Sequence, residues 1–406
     1  MPKKYIKMLV CSVALFAAFS IYIRTLIPDG LYYTGNEAVS VRSLPMVSFV
    51  PAKQGASRAV SAAGTNLQYT AKLFGVVPVK EVNVSKTSVR KVSVAGTPFG
   101  VKMFSDGVMI VGFSDIETEY GYSCPAKTAG LKMGDVITAL NGEKVQSIDD
   151  VENFILENGD KKVTVSFLRD GLEMQLPLLP VTESGSNAVR TGMWVRNSSA
   201  GVGTMTFYDV QKGMFAGLGH GIKDTDTQKD IRLLSGEIVP VKIMGVTKSR
   251  NGEAGELKGT FMSSFPSGRI LANSTNGVYG TVFTIPDENI MEIAQPQEIE
   301  TGRAQIMTTV NGTTPRRYDV VIEKIALNGT NSNKNMIIRI TDPELLKVTG
   351  GIVQGMSGSP VIQNGKLVGA VTHVFVNQVE RGYAVFATNM LESMDNTEKV
   401  YLNKAG

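Results

Sequence analysis

Histidine, cysteine and tryptophan are scarce in this chain of 406 residues, with two His, two Cys and one Trp. Cys11 lies inside an apolar run and Cys124 far downstream in a globular stretch, so a disulfide between them is not expected. Without a CxxC motif or a Cys/His cluster there is no thiolate metal site to propose, and no metal or organic cofactor is implied. Charge of one sign is not concentrated either. The 41 Lys and Arg against 37 Asp and Glu leave a formal net charge of +4 spread along the chain, which gives no nucleic-acid footprint. With His220 and His373 as the only histidines, any mechanism that needs an imidazole base has two candidates. What the chain has in quantity is length and a 43% apolar composition, enough for two folded units plus connecting segments.

Lys3, Lys4 and Lys7 precede an uncharged apolar run from Met8 to Ile23, closed by Arg24. A basic flank before such a run reads as an export signal, and counting on to Ile27 approaches the roughly 20 residues of a bilayer-spanning helix. Residues 1–27 are therefore expected to be a membrane anchor, or a signal cut at Ala18-Phe19-Ser20, with the lysines cytoplasmic and the bulk of the chain outside. Between 28 and 97 the small and basic residues at 53–58 and 61–65 interrupt short apolar pieces. This predicts a flexible tether with accessible cut sites, in which Leu73–Val79 is apolar enough to pack as a strand.

Residues 98–181 read as the first globular unit. Gly107–Gly112 forms a buried strand pattern, Pro125–Gly130 a short helix opened by proline and closed by glycine, and Asn141-Gly142 a hairpin turn. Ser147 is a good N-cap for a helix with Ile148, Val151, Phe154 and Ile155 on one face, and Val163, Val165 and Phe167 alternate up to the Asp170-Gly171 turn. The succession Ala129-Gly130-Leu131-Lys132-Met133-Gly134-Asp135-Val136-Ile137 followed by Asn141-Gly142 resembles a PDZ domain (α+β). The resemblance implies a peptide ligand added as a strand beside the longer helix, with its carboxylate on a loop near Phe99-Gly100-Val101.

Residues 187–406 carry many short alternating strands and little helical periodicity, which predicts an all-β barrel unit and a mainly β chain. Two segments in it carry chemistry. In Gly213–Gly221, glycines on both sides of His220 let the backbone bend and leave the ring accessible, and Asp224 and Asp226 follow closely. In Gly351–Pro360 a glycine-lined loop holds Ser357 and leads into a hairpin with an Asn364-Gly365 turn. Such a loop can aim backbone N–H groups at one point, and the expected oxyanion donors are the amides of Gly355 and Ser357.

The loop Gly355-Met356-Ser357-Gly358-Ser359-Pro360 before a hairpin, with histidine first and serine near the carboxyl end, resembles trypsin-like peptidases. More narrowly, Gly192-Met193-Trp194-Val195-Arg196, the His220 segment and Gly350–Pro360 resemble the stage IV sporulation protein B peptidases of spore-forming bacteria. That resemblance implies Ser357 as nucleophile, His220 as general base and Asp342 as the acid that orients it. Asp342 departs from the usual trypsin-like chain order, and Asp224 and Asp226 remain rivals. His373, alternating with apolar residues, reads as a structural or pocket-wall histidine. The resemblance further implies an exported endopeptidase of the forespore intermembrane space. It would process its own N-terminal tether and cleave a membrane-bound regulator, so that a late sigma factor matures. A non-catalytic PDZ adaptor and a periplasmic-type quality-control protease are the rival readings. The latter places its PDZ after the catalytic unit, whereas the module here comes first.

Overall fold

The computed structural model of the chain describes residues 3–405 apart from 36–37, 53–59, 62–63, 225, 228–232, 264, 287 and 329–332. Helix α1 (Lys3–Leu26) is long and apolar enough to cross a membrane, and most of its apolar side chains are exposed. Its last turn is not free: Ile23 and Ile27 are buried against a small sheet formed by the residues that follow.

Most of the described part of the expected flexible tether is folded. Strands Gly30–Tyr33, Val77–Lys86, Gly64–Leu73 and Val47–Pro51 lie side by side in that order, and Leu31, Ala71, Leu73, Val82 and Val84 form their core. The alternation at 71, 73, 82 and 84 explains the difference, because a period of two places these side chains on one face to be buried together. Residues 53–58, expected to be cut sites, lie outside the described residues, as do 62 and 63 of the second such segment.

The expected peptidase unit consists of two barrels. The first is a ring of six strands, β1 (Pro98–Phe113), β2 (Met193–Asp209), β3 (Met214–Gly217), β4 (Leu233–Thr247), β5 (Gly268–Ser274) and β6 (Gly277–Val282). The ring closes because β1 pairs with β4 on one edge and β2 on the other, while β4–β5, β5–β6, β6–β3 and β3–β2 complete the circuit. The second barrel is closed by β7 (Gly302–Thr308), β8 (Arg316–Ile325), β9 (Met336–Ile340), β10 (Pro360–Gln363), β11 (Lys366–Phe375) and β12 (Gln378–Phe386). Helix α4 (Ala387–Ala405) follows and packs Met390 and Met394 into the core between the barrels.

The PDZ unit hangs from the far ends of β1 and β2. Its strands Val136–Leu140, Val163–Arg169 and Leu172–Leu178 continue the sheet from Val108 and Met109 of β1. Helix α2 (Ile148–Asn158) starts at a capping box of Ser147 and Asp150 and buries Val151 and Ile155, as the amphipathic spacing predicts. Three hairpin turns have the left-handed pairs expected of type I′: Asn141-Gly142 (φ 49 and 85°), Asp170-Gly171 (52 and 85°) and Asn364-Gly365 (51 and 75°).

The strand pairing changes the expected boundaries. Residues 98–105, assigned from sequence to the PDZ unit, are a strand of the first barrel, so the PDZ elements are inserted between that barrel's first and second strands. The expected carboxylate-binding loop at Phe99, Gly100 and Val101 is corrected for the same reason. Gly100 pairs with Val202 on one side and Val239 on the other, and the Phe99 ring meets Phe215 edge-on at 6.2 Å. A segment paired on both edges and buried in a barrel core has no amides to offer a peptide terminus.

Candidate active site

Ser357 sits in the loop between helix α3 (Pro343–Thr349) and β10. Buried Ile352, Val353 and Met356 pin the loop into the second core, and Ser359 closes it by donating its hydroxyl to the Met356 carbonyl at 2.6 Å. Within 354–359, the amides of Gln354, Met356, Gly358 and Ser359 donate to Gly255, Val353, Val371 and Met356 carbonyls. The amides of Gly355 and Ser357 have no acceptor among the described residues. These are the two donors expected from sequence, left open on either side of Met356. The Ser357 hydroxyl itself donates to the Thr372 carbonyl at 2.8 Å.

His220 follows β3 through two residues in the left-handed region, Leu218 (φ 67°) and Gly219 (φ 68°). Its Nδ1 lies 2.8 Å from the Gly221 carbonyl oxygen. A carbonyl only accepts, so Nδ1 carries the proton and Nε2 keeps its lone pair. Desolvation lowers the His220 pKa from the ordinary imidazole value, opposed by the bond to Gly221. The imidazole is therefore neutral near pH 7, the form a general base needs.

His373, on β11 beside Thr372, packs its ring against His220 with centroids 4.9 Å apart and planes tilted by 36°. Burial first, then the charges of His220, Lys334 and Lys223, pushes its pKa down to about 4, and its buried Nδ1 has no hydrogen-bond partner among the described residues. The wall expected of this histidine is thus a wall of the His220 site.

Among the described residues, none of the three candidate acids bonds to His220. Asp342 is the N-cap of α3 and accepts from the amides of Glu344, Leu345 and Asp319. Register sets it apart from His373, which packs on His220: Val374 pairs with Gly382, which pairs with Ile338, and Asp342 lies four residues beyond Ile338, roughly 13 Å along the chain at about 3.3 Å per residue. Asp224 and Asp226 both pair with Arg196, at 3.2 and 2.7 Å, and buried Asp224 also accepts from the Asp226 and Thr227 amides.

A second candidate site lies on the PDZ unit. A cleft of about 510 Å³ runs between α2, through Val151, Ile155 and Leu156, and the segment 188–195 leading into β2, with Arg190, Gly192 and Trp194 on that side. A peptide laid beside the longer helix would meet this segment rather than residues 99–101. Composition gave no sign of it, because the segment follows the PDZ elements in sequence and returns to them through pairing of Met193–Arg196 with Phe113–Met109 and through the Ser114 and Ala126 amides, which donate to the Gly192 and Thr191 carbonyls.

Residues 187–391, about half of the chain, match the SpoIVB peptidase S55 family. The chain belongs to that family. It is a serine peptidase with a PDZ domain, whose match covers residues 122–169. The S55 peptidase is 29% identical over 100 residues to the regulator of sigma-W protease RasP of Bacillus subtilis, covering 25% of this chain and 21% of that protein. It is 45% identical over 47 residues to a do/HhoA-like protein of Haemophilus influenzae named a probable periplasmic serine protease, covering 11% of this chain and 10% of that one. The aligned stretches therefore span about a fifth and a tenth of these relatives. Among solved structures it is similar to the HtrA-type protease AlgW with decapeptide, at a TM-score of 0.30 and 13% identity over 51% of this chain and 54% of that one.

Proposed function

We propose that the S55 peptidase is an exported endopeptidase in which Ser357 attacks the scissile carbonyl and His220 Nε2 takes the hydroxyl proton, later returning it to the leaving amine. The Gly355 and Ser357 amides would receive the developing oxyanion, at roughly 3 kcal/mol of barrier per donor. The observation that carries this reading is the pair of open amides around Ser357 in a loop whose other donors are engaged. The Ser357 hydroxyl would turn from the Thr372 carbonyl to His220 before attack. The cleft beside α2 would hold a peptide, and α1 would keep the enzyme at a membrane. Following the sporulation-peptidase resemblance, the substrates would be the enzyme's own segment near 53–65 and a membrane-bound regulator in the forespore intermembrane space, with maturation of a late sigma factor as the consequence.

The deciding comparison uses the full chain in detergent as wild type and as Ser357→Ala, followed by intact mass and by a fluorophosphonate label. Trimming and labelling of the wild type alone support the peptidase. The bond from Ser357 to Thr372 favours one other reading, a PDZ adaptor with an idle serine, and an unlabelled, untrimmed wild type would establish it.

A further inference from the structure

Thr204, in the middle of β2, is buried and touches both catalytic loops through three different groups. Its amide donates to the Ser357 carbonyl at 3.0 Å, its carbonyl accepts from the Leu218 amide at 3.2 Å, and its Oγ1 donates to the Gly355 carbonyl at 2.7 Å. The contact is close enough to select a neighbour's identity: a Cβ on Gly358 (φ +93°) would stand 2.0 Å from the Thr204 carbonyl oxygen and 2.6 Å from the Leu218 nitrogen.

We infer that Thr204 is a positioning residue for the oxyanion donors, its hydroxyl fixing the Gly355–Met356 peptide so that the Gly355 carbonyl faces β2 and cannot turn into the space the Gly355 and Ser357 amides leave open. Without that bond the peptide is held only by the Met356 amide's bond to the Val353 carbonyl at 3.1 Å, and a Gly355 carbonyl turning into the same space would repel a developing oxyanion. The two main-chain bonds serve any residue at 204, but the third requires a hydroxyl. Thr206, two residues on, provides an internal comparison, since its Oγ1 donates to the Gly358 carbonyl at 2.7 Å and so holds the same loop away from the donor pair.

The inference rests on Ser357 as nucleophile, and the test separates the two. The full chain is titrated with a fluorophosphonate, and the maximal phosphonylation rate and the half-saturating concentration are measured with a thermal melt. Thr204→Val should slow the maximal rate about tenfold or more, with half-saturation unchanged, while Thr204→Ser keeps the wild-type rate and Thr206→Val stays within about threefold of it. Equal slowing of Thr204→Val and Thr206→Val, or a wild-type rate in Thr204→Val, overturns the inference alone. A wild type that takes no label at Ser357 overturns the catalytic reading and this one with it. If Thr204→Val does not fold, Thr204→Cys takes its place, because a thiol of similar size is a weak donor and must show the same loss that Thr204→Ser avoids.

Discussion

At the scale of single residues, the proposed site is a serine and a histidine whose protons are both held by main-chain carbonyls, those of Thr372 and Gly221. The Gly221 carbonyl fixes the His220 tautomer as a carboxylate would, but adds no full negative charge to raise its basicity. Burial acts in the opposite direction, so the rate of Ser357 labelling should stay level as pH falls from 8 and decline only below the ordinary imidazole value of about 6.5. The sign follows from the neutral form being the active one, and a midpoint above 6.5 in a labelling-rate profile would contradict it. Asp342 is tested by two substitutions. Asp342→Ala removes the cap of α3 and should cost about 1 kcal/mol in a denaturant melt, whereas Asp342→Asn keeps a capping oxygen and should melt like the wild type. The labelling rate of Asp342→Asn then separates the roles. A cap leaves it within a few-fold, while an orienting acid loses on the order of 10⁴ and would require the α3 loop to rearrange.

At the scale of elements, β1 and β2 each serve two units. Their barrel-proximal parts pair across Pro98–Phe104 and Ser198–Thr204, and their distal parts across Met109–Phe113 and Met193–Arg196. β2 runs from the wall of the PDZ cleft, past the Arg196 pairs with Asp224 and Asp226, to Thr204 between the loops of Ser357 and His220. Excision of 99–180 would therefore remove buried Phe99, Val101 and Met103 together with a barrel strand, and should leave an insoluble chain. Replacing 114–191 by a two-residue hairpin turn keeps β1 paired with β2, and should give a soluble protein with a cooperative melt and Ser357 still labelled. An insoluble short excision alongside a soluble long one would reverse this assignment of strands. The hairpins, the α2 cap and the proline-led helix at 125 were legible in sequence because each depends on residues within one turn of one another. The pairing of Phe99–Val101 was not, since a strand of apolar residues carries no mark of which neighbours will flank it.

At the scale of the whole molecule, the folded segment after α1 joins the helix to the second barrel. Asn328, in the loop between β8 and β9, donates to the Thr25 and Ile27 carbonyls at 2.9 Å each, and Gln297 donates to Tyr32 while accepting from the Arg42 amide. A membrane at α1 would thus have the peptidase held against it by a short structured collar rather than on a long tether. The sequence by itself determined the class of the chain: an apolar N-terminal helix, a PDZ pattern, a β-rich second half, and Ser357 and His220 in glycine-bracketed loops. Each of those rests on local periodicity, local turn chemistry or motif spacing, which the order of residues carries directly. Only the tertiary structure decided that the PDZ unit is inserted within the first barrel, that Asp342 caps helix α3, that His373 lies against His220, and that Thr204 joins the loops of Ser357 and His220. These are contacts between residues from tens to more than a hundred positions apart, set by strand register and barrel closure. One-dimensional order leaves such contacts open because many registers bury the same apolar faces.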